Sequence, residues 1–233
     1  MRIVVTGCKG QLALSLAERA LGRTDLEVVT LGRPELDLAR PQTILPAIAL
    51  CRPSLVVSAA AYTAVDQAED DRDMAFAVNA VGAGAVAEAG ARLGVPVIHI
   101  STDYVFDGTR QGDHAEDDAP APLSVYGASK LAGEKAVAAA NPRHLILRTG
   151  WVYSPFGKNF VKTMLQLAMD RDEIAVVADQ WGNPSSALDI ADAVLDASIA
   201  LIQSRQGPVP GIYHLAGTGT VSRADLARHV LSV

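Results

Sequence analysis

An apolar run, Ile3-Val4-Val5, passes directly into Thr6-Gly7-Cys8-Lys9-Gly10-Gln11-Leu12-Ala13 and then into a stretch of helical period. Nothing else in the chain restricts the fold so strongly. In a strand–loop–helix unit of this kind Gly7 makes the tight turn and Gly10 lets the backbone approach a pyrophosphate at the helix N-terminus. A small residue such as Ala13 then allows the helix to pack closely on its strand. A glycine pattern alone is a weak signal; this one sits directly after an apolar strand, where a dinucleotide cradle belongs. Cys8 lies in the loop with only Lys9 as a basic neighbour, so it reads as a passive thiol.

Short β-branched runs alternate with Ala/Leu-rich stretches along the rest of the chain. Strands are expected at Ile3–Thr6, Glu27–Leu31, Leu55–Ser58, Val97–Ser101, Leu145–Arg148, Ile174–Val177 and Ile212–Leu215. Helices are expected near Gly10–Leu21, Thr43–Leu50, Asp73–Leu93, Val125–Ala140, Lys158–Met169, Leu188–Gln203 and Ser222–Leu231. The early strands are continuously apolar, as they are when helices cover both faces of a parallel sheet. The pattern predicts an α/β fold, a Rossmann-type doubly wound parallel sheet with a smaller, interleaved substrate-binding domain. Residues 1–150 are expected to form the NAD(P)-binding domain. Residues 151–233, punctuated by Pro155, Pro184, Pro208 and Pro210, are expected to form a substrate-binding region interleaved with late sheet elements. The chain stops at Val233 within a helix begun at the cap Ser222, so a truncated C-terminus is expected.

Composition removes several classes. With 49% hydrophobic and 20% charged residues the chain can bury a core. A net charge of -6 argues against a nucleic-acid partner, which demands clustered Lys and Arg. The acidic run Asp113–Asp118 reads as a solvated loop. Two cysteines, Cys8 and Cys51, make no disulfide framework. No basic flank and apolar segment of a signal peptide is seen at the start, and Val81–Leu93 is interrupted by Glu88 and Arg92, so no membrane span and a cytoplasmic location are expected. The histidines 99, 114, 144, 214 and 229 lack ligand spacing, so no metal site is expected; His99, inside an apolar strand, reads as a satisfied core histidine.

The second strand ends in Thr30-Leu31-Gly32-Arg33. An acidic residue there would bind the 2′-hydroxyl of NAD, whereas Arg33 suits the 2′-phosphate of NADP. The cofactor expected is therefore NADPH, with NADH as the alternative. Asp37 is placed either for an adenosine-side contact or for capping the helix near Pro41.

Three fragments at strand ends carry the chemistry: Ser101 to Gly108, Tyr126-Gly127-Ala128-Ser129-Lys130 and Leu147 to Tyr153. Tyr126 and Lys130 are four apart and share a helix face. Ketone reduction needs a hydride and a proton donor, and tyrosine with a pKa of about 10 is poorly matched to neutral pH. A nearby ammonium would lower it: at 4 Å and a dielectric of 20 the attraction is roughly 4 kcal/mol at most. Thr102 is placed to hydrogen-bond the substrate oxygen. The Tyr-x-x-x-Lys spacing occurs often by chance; the glycine loop and Ser101-Thr102 make the catalytic reading the stronger one.

These residues resemble the extended short-chain dehydrogenase/reductase superfamily, and within it the dTDP-4-dehydrorhamnose reductase family of dTDP-rhamnose biosynthesis. The most specific stretches are Gly7–Leu12, Ala59–Asp66, Ser101–Gly108, Tyr126–Lys135, Arg148–Tyr153, Gly157–Phe160 and Asp179–Pro184. The resemblance implies reduction of the C4 ketone of a dTDP-linked 4-keto-6-deoxy sugar, with Thr102, Tyr126 and Lys130 catalytic and Lys130 also on the nicotinamide ribose. It implies that Gly7, Gly10, Gln11, Leu12, Ala60, Ala61 and Thr63 line the cofactor groove. It implies further that Asp103, Tyr104, Trp151, Asn159, Gln180, Asn183 and Pro184 approach the sugar nucleotide. Three departures stand out. Ser58 replaces an asparagine, Gly150 an alanine or serine, and Ala13-Leu14-Ser15 lacks the glutamate through which some members bind Mg²⁺ at a dimer interface. A homodimer is implied only without that metal link.

Three other functions compete. A sugar-nucleotide dehydratase of the same superfamily carries Asp-Glu after its catalytic threonine, where this chain has Asp103-Tyr104. An epimerase would hold its cofactor too tightly to need added NADPH. A non-catalytic NADP-binding module resembling the methionine adenosyltransferase β subunit is the alternative from another class.

Overall fold

The structure, a computed structural model, describes residues 1–110, 112–203 and 209–232; Pro208 and Val233 lie outside the described residues. In chain order the strands are β1 (Arg2–Thr6), β2 (Glu27–Leu31), β3 (Leu55–Ser58), β4 (Val97–Thr102), β5 (His144–Thr149), β6 (Val152–Tyr153), β7 (Trp181–Gly182), β8 (Ser185–Ser186), β9 (Gly211–His214) and β10 (Val221–Ser222). The helices are α1 (Gln11–Arg19), α2 (Ile44–Leu50), α3 (Val65–Asp70), α4 (Arg72–Phe76), α5 (Ala83–Arg92), α6 (Val125–Ala140), α7 (Phe160–Asp170), α8 (Ala187–Gln203) and α9 (Arg223–Ser232).

Six strands make one sheet in the order β2-β1-β3-β4-β5-β9, every neighbour parallel. The crossover reverses direction at β1, which pairs with both β2 and β3. Beyond the C-terminal ends of those strands the loops diverge and leave a crevice, the usual ligand position in such sheets.

Alternate side chains of one strand serve opposite layers. Ile3 and Val5, with Leu55, Val57 and Ile98, pack on Leu16 of α1 and Val194 and Leu195 of α8. Val4, Val56 and Val97 point the other way, onto Ile44 and Ile48 of α2 and Val86 of α5. Both faces are covered, so the strands are apolar throughout.

α4, a π-helical turn at Ala77–Gly82 and α5 run as one helix from Arg72 to Arg92, long and apolar enough by composition to cross a membrane. Half of its apolar window is buried on the sheet, the position of a core helix.

β9 and α8 come from beyond residue 150 yet belong to the main sheet and its cover, so late elements are interleaved with the first unit. Two small strand pairs, β6 with β8 and β7 with β10, tie the later chain together.

One expected strand is absent. Residues 171–180 have no regular structure, and Val177 is 52% exposed. The run Ile174–Val177 has β propensity, but β9 occupies the place beside β5, and an unpaired strand is not stable alone. α3, with Asp66, Glu69 and Asp70 in its six residues, was not anticipated from the pattern.

Candidate active site

A groove of about 1280 Å³ runs across the C-terminal ends of β1, β3 and β4. Its floor at one end is the glycine loop. Gly7 has φ +94°, a left-handed conformation that glycine adopts without strain, and a Cβ there would press on Ala60 at 3.3 Å. The Thr6 hydroxyl accepts from the amides of Ala59 and Ala60, both at 3.1 Å, and so fixes the Ala59–Ala61 turn against the loop. Gly10 is the N-cap of α1, makes no side-chain cap, and has open space where a Cβ would stand. The first amides of α1 therefore face the groove without an internal acceptor, as a bound pyrophosphate requires. This cradle fits a dinucleotide.

Gln11, Leu12, Arg33, Asp37, Ala60, Ala61 and Thr63 line the groove, as expected for cofactor contacts, and Lys9 and Arg40 join them. Asp37 is not the N-cap of the 3-10 turn Pro41–Thr43, which is Arg40. Asp37 borders the groove, and its carboxylate accepts from the Ala39 amide at 3.0 Å in the turn that leads to Pro41.

The far end holds Thr102, Asp103, Tyr104, Tyr126, Lys130 and Trp151. Ser124 caps α6 through the Gly127 amide, which starts the helix one residue before Tyr126. Gly127 lies where a Cβ would overlap the Tyr104 carbonyl, so α6 is held close to the end of β4. Tyr104 and Tyr126 meet edge to face, centroids 5.5 Å apart.

The electrostatics differ from expectation. Burial pushes the Tyr126 phenol up to about 12, opposed by the nearby Thr102 hydroxyl, with Asp103 and Tyr104 raising it further. Lys130 does not figure among the causes. Burial brings the Lys130 amine down to about 8, opposed by the Glu134 carboxylate. The reason is geometric: Lys130 Nζ donates to the Ile100 carbonyl at 2.6 Å and lies 3.4 Å from His99 Nε2, so its charge is directed beneath β4. Desolvation outweighs the attraction expected from the spacing alone.

Asp103 borders the groove with its carboxylate packed over Gly150, where any Cβ would overlap it. Desolvation raises its pKa, and the Thr102 hydroxyl, donating at 3.1 Å, opposes the rise. The missing methyl at Gly150 is thus the space that the carboxylate fills.

Trp151 has φ +48°, unusual for a residue with a side chain. Its indole lies against Gly182, whose Cβ would overlap the ring, and the Arg223 guanidinium stacks over it at 3.8 Å. Arg223, whose charge also acts on the Asp103 carboxylate, is a cation that sequence reasoning missed. The β7–β10 pairing and a bond from its amide to the Gln180 carbonyl at 3.0 Å bring it there from α9, and no local pattern marks it.

Asn159, Gln180, Asn183 and Pro184 are not among the groove-lining residues. Asn159 caps α7 and donates to Gln11 at 3.0 Å, and Asn183 donates to the Gly219 carbonyl at 2.9 Å. Gln180 and Pro184 flank Gly182 in the segment against Trp151. Among the described residues no group of three or more His, Cys, Asp or Glu is arranged to hold a metal ion.

A doubly wound sheet with a glycine cradle at the switch point, a Thr at the end of the fourth strand and a Tyr and Lys on the helix packed beside it defines the short-chain dehydrogenase/reductase class. Within that class, the chain belongs to the family of the RmlD substrate binding domain, whose model matches residues 1–233. It is 54% identical over 233 residues to a dTDP-4-dehydrorhamnose reductase of Sinorhizobium fredii, covering all of this chain and 78% of that protein. A crystal structure of a dTDP-4-dehydrorhamnose reductase ortholog from Clostridium acetobutylicum superposes with a TM-score of 0.92 at 36% identity, covering 100% of this chain and 80% of that one. A dTDP-4-dehydrorhamnose reductase from Bacillus anthracis, solved in complex with NADP, gives 0.91 at 38% identity over 99% of this chain and 80% of that one.

Proposed function

We propose that the protein is an NAD(P)H-dependent reductase of the C4 ketone of dTDP-4-dehydrorhamnose, giving dTDP-L-rhamnose. The observation that carries the reaction type is the meeting of Thr102, Tyr126 and Lys130 at one end of a groove whose other end is the Gly7–Leu12 cradle. The identity of the sugar nucleotide follows from the relatives, which are reductases of that substrate by name.

The nicotinamide cofactor supplies the hydride. Gly7, Gly10 and the first amides of α1 hold its pyrophosphate, and Ala60, Ala61 and Thr63 border its path. Arg33, with Lys9 and Arg40 nearby, favours the 2′-phosphate of NADPH, and NADH is the second choice. Tyr126, protonated across the neutral range, is the proton donor to the developing alkoxide. Thr102 orients the ketone oxygen, and Lys130 anchors the nicotinamide ribose. Tyr104 and Trp151, with Asp103 and the Gln180–Pro184 segment including Asn183, form the sugar-nucleotide side, and Asn159 supports Gln11. Residues 1–150 carry the cofactor groove and the reacting end of the site, and the later chain adds Trp151 and the Gln180–Pro184 segment to the substrate side. Free Cys8 and Cys51 support a reducing, cytoplasmic setting.

The purified protein is expected to oxidise NADPH only when the 4-keto-6-deoxy sugar nucleotide is added. In Tyr126→Phe the rate of that oxidation should fall by about 10²–10⁴-fold with NADPH binding retained. Undiminished turnover in that variant defeats the assignment.

A further inference from the structure

The buried histidine beneath the catalytic lysine has no part in the chemistry above. We propose that His99 is a positioning residue for Lys130, its bare Nε2 accepting from the ammonium while its Nδ1–H donates to Ser58. The proposal rests on the reductase reading above.

The geometry fixes each part. β3 and β4 pair in parallel with Ser58 opposite His99, so both side chains project from neighbouring strands to the same face. His99 Nδ1 is 3.1 Å from Ser58 Oγ, and Nε2 is 3.4 Å from Lys130 Nζ. His99 is 1% exposed and Lys130 2%. An ammonium has donors and no acceptor, so a contact between it and an imidazole requires a bare nitrogen on that side. A neutral ring then carries its proton on the other nitrogen, facing the serine. Burial, then the Lys130 charge, holds the His99 pKa well below the ordinary 6.5, which keeps the ring neutral at working pH.

A leucine at 99 would fill the same buried position without the desolvation of a polar ring. What the imidazole adds is a second acceptor for Lys130, beside the Ile100 carbonyl. The two acceptors hold the Lys130 amine in one position at the border of the groove. Ser58 is itself only 1% exposed, so the chain Ser58–His99–Lys130 is closed at the serine end and meets the groove only at Lys130. It therefore orients the ammonium from behind the groove. The charged groups around Lys130 are Glu134 on its own helix, paired to Arg148 of β5, and Asp103 after β4, which acts on Tyr126.

Two measurements test this. In ¹⁵N-histidine-labelled protein without cofactor at neutral pH, His99 should show a protonated Nδ1 and a bare Nε2. A protonated Nε2 overturns the proposal. In the full chain, His99→Leu should lower kcat by about tenfold. It should also move the alkaline limb of kcat/KM down by about one pH unit or more, because the charged amine loses an acceptor. His99→Gln, which can place an amide oxygen near the Nε2 position, should restore most of both. An unmoved limb with full kcat in His99→Leu overturns the proposal. If that variant does not fold, the tautomer decides. Lack of turnover in the unaltered protein defeats the reductase reading and again leaves the tautomer to decide.

Discussion

Tyr126 and Lys130 are both governed by desolvation, which moves their pKa values apart, to about 12 and about 8. A proton donor for an alkoxide must be protonated when the hydride arrives, and the raised phenol meets that condition at any physiological pH. His99 gives a second consequence of burial. The unfolded chain binds a proton near pH 6.5 that the folded chain refuses until a much lower pH. Stability therefore falls as pH drops below 6.5 and is unaffected by this group above it. Between pH 7.5 and pH 5.5 the loss is at most about 1.4 kcal/mol. Urea unfolding at the two pH values should show that difference between the unaltered protein and His99→Leu. The glycines of the cradle, the Tyr–Lys pair and Thr102 were legible in the sequence because each belongs to a local pattern. Arg223 and the partnership of His99 with Lys130 were not, since their partners lie on other elements.

At the scale of elements, the approach of α6 to the preceding helix is set by small residues. The π-helical turn brings Asn79 inward, where its amide group donates to Ser129 of α6 at 2.9 Å and to the Tyr62 carbonyl at 3.0 Å, and its oxygen accepts from the Tyr62 amide at 2.8 Å. The Gly133 position of α6 lies so close that a Cβ would overlap the Asn79 carbonyl, a backbone atom that cannot rotate aside. Gly133→Ala should cost about 3 kcal/mol, the upper end for overpacking. Gly84→Ala on α5, whose Cβ would meet the Ala136 methyl at 3.0 Å, should stay within about 1 kcal/mol, since helix propensity offsets a small shift. Chemical denaturation of the two variants distinguishes them, and equal losses would refute the close-approach account. The long helices and main strands were readable from period and β-branching. Ile174–Val177 failed because propensity does not say whether a neighbouring strand is available.

Across the whole molecule, one buried ion pair joins the parts that carry the site. Arg148 of β5 donates to both oxygens of Glu134 on α6, at 2.9 and 2.8 Å, and Ser101 of β4 donates to the same carboxylate at 2.6 Å. The strands that lead to Thr102 and Trp151 are thereby locked to the helix of Tyr126 and Lys130. Arg148→Met leaves Glu134 buried and unpaired and should cost about 3–5 kcal/mol. Glu134→Met combined with it should recover most of that stability, as removing both charges also removes the desolvation cost. Unfolding midpoints of the single and double variants check this, and a double variant no more stable than the single one argues against the pairing account.

The sequence by itself determined the layer order and the chemistry of the groove. Apolar runs of strand length between helical periods admit only a covered parallel sheet, and a glycine loop after the first strand fixes where a dinucleotide lies. Only the tertiary structure decided which way Lys130 directs its charge, that Arg223 stacks on Trp151, and that Gly150 makes room for Asp103. Those outcomes depend on strand register, on a two-stranded pairing between segments about forty residues apart, and on how far burial outweighs Coulomb attraction. Each is a relation between elements, and none is carried by the residues on either side of the position concerned.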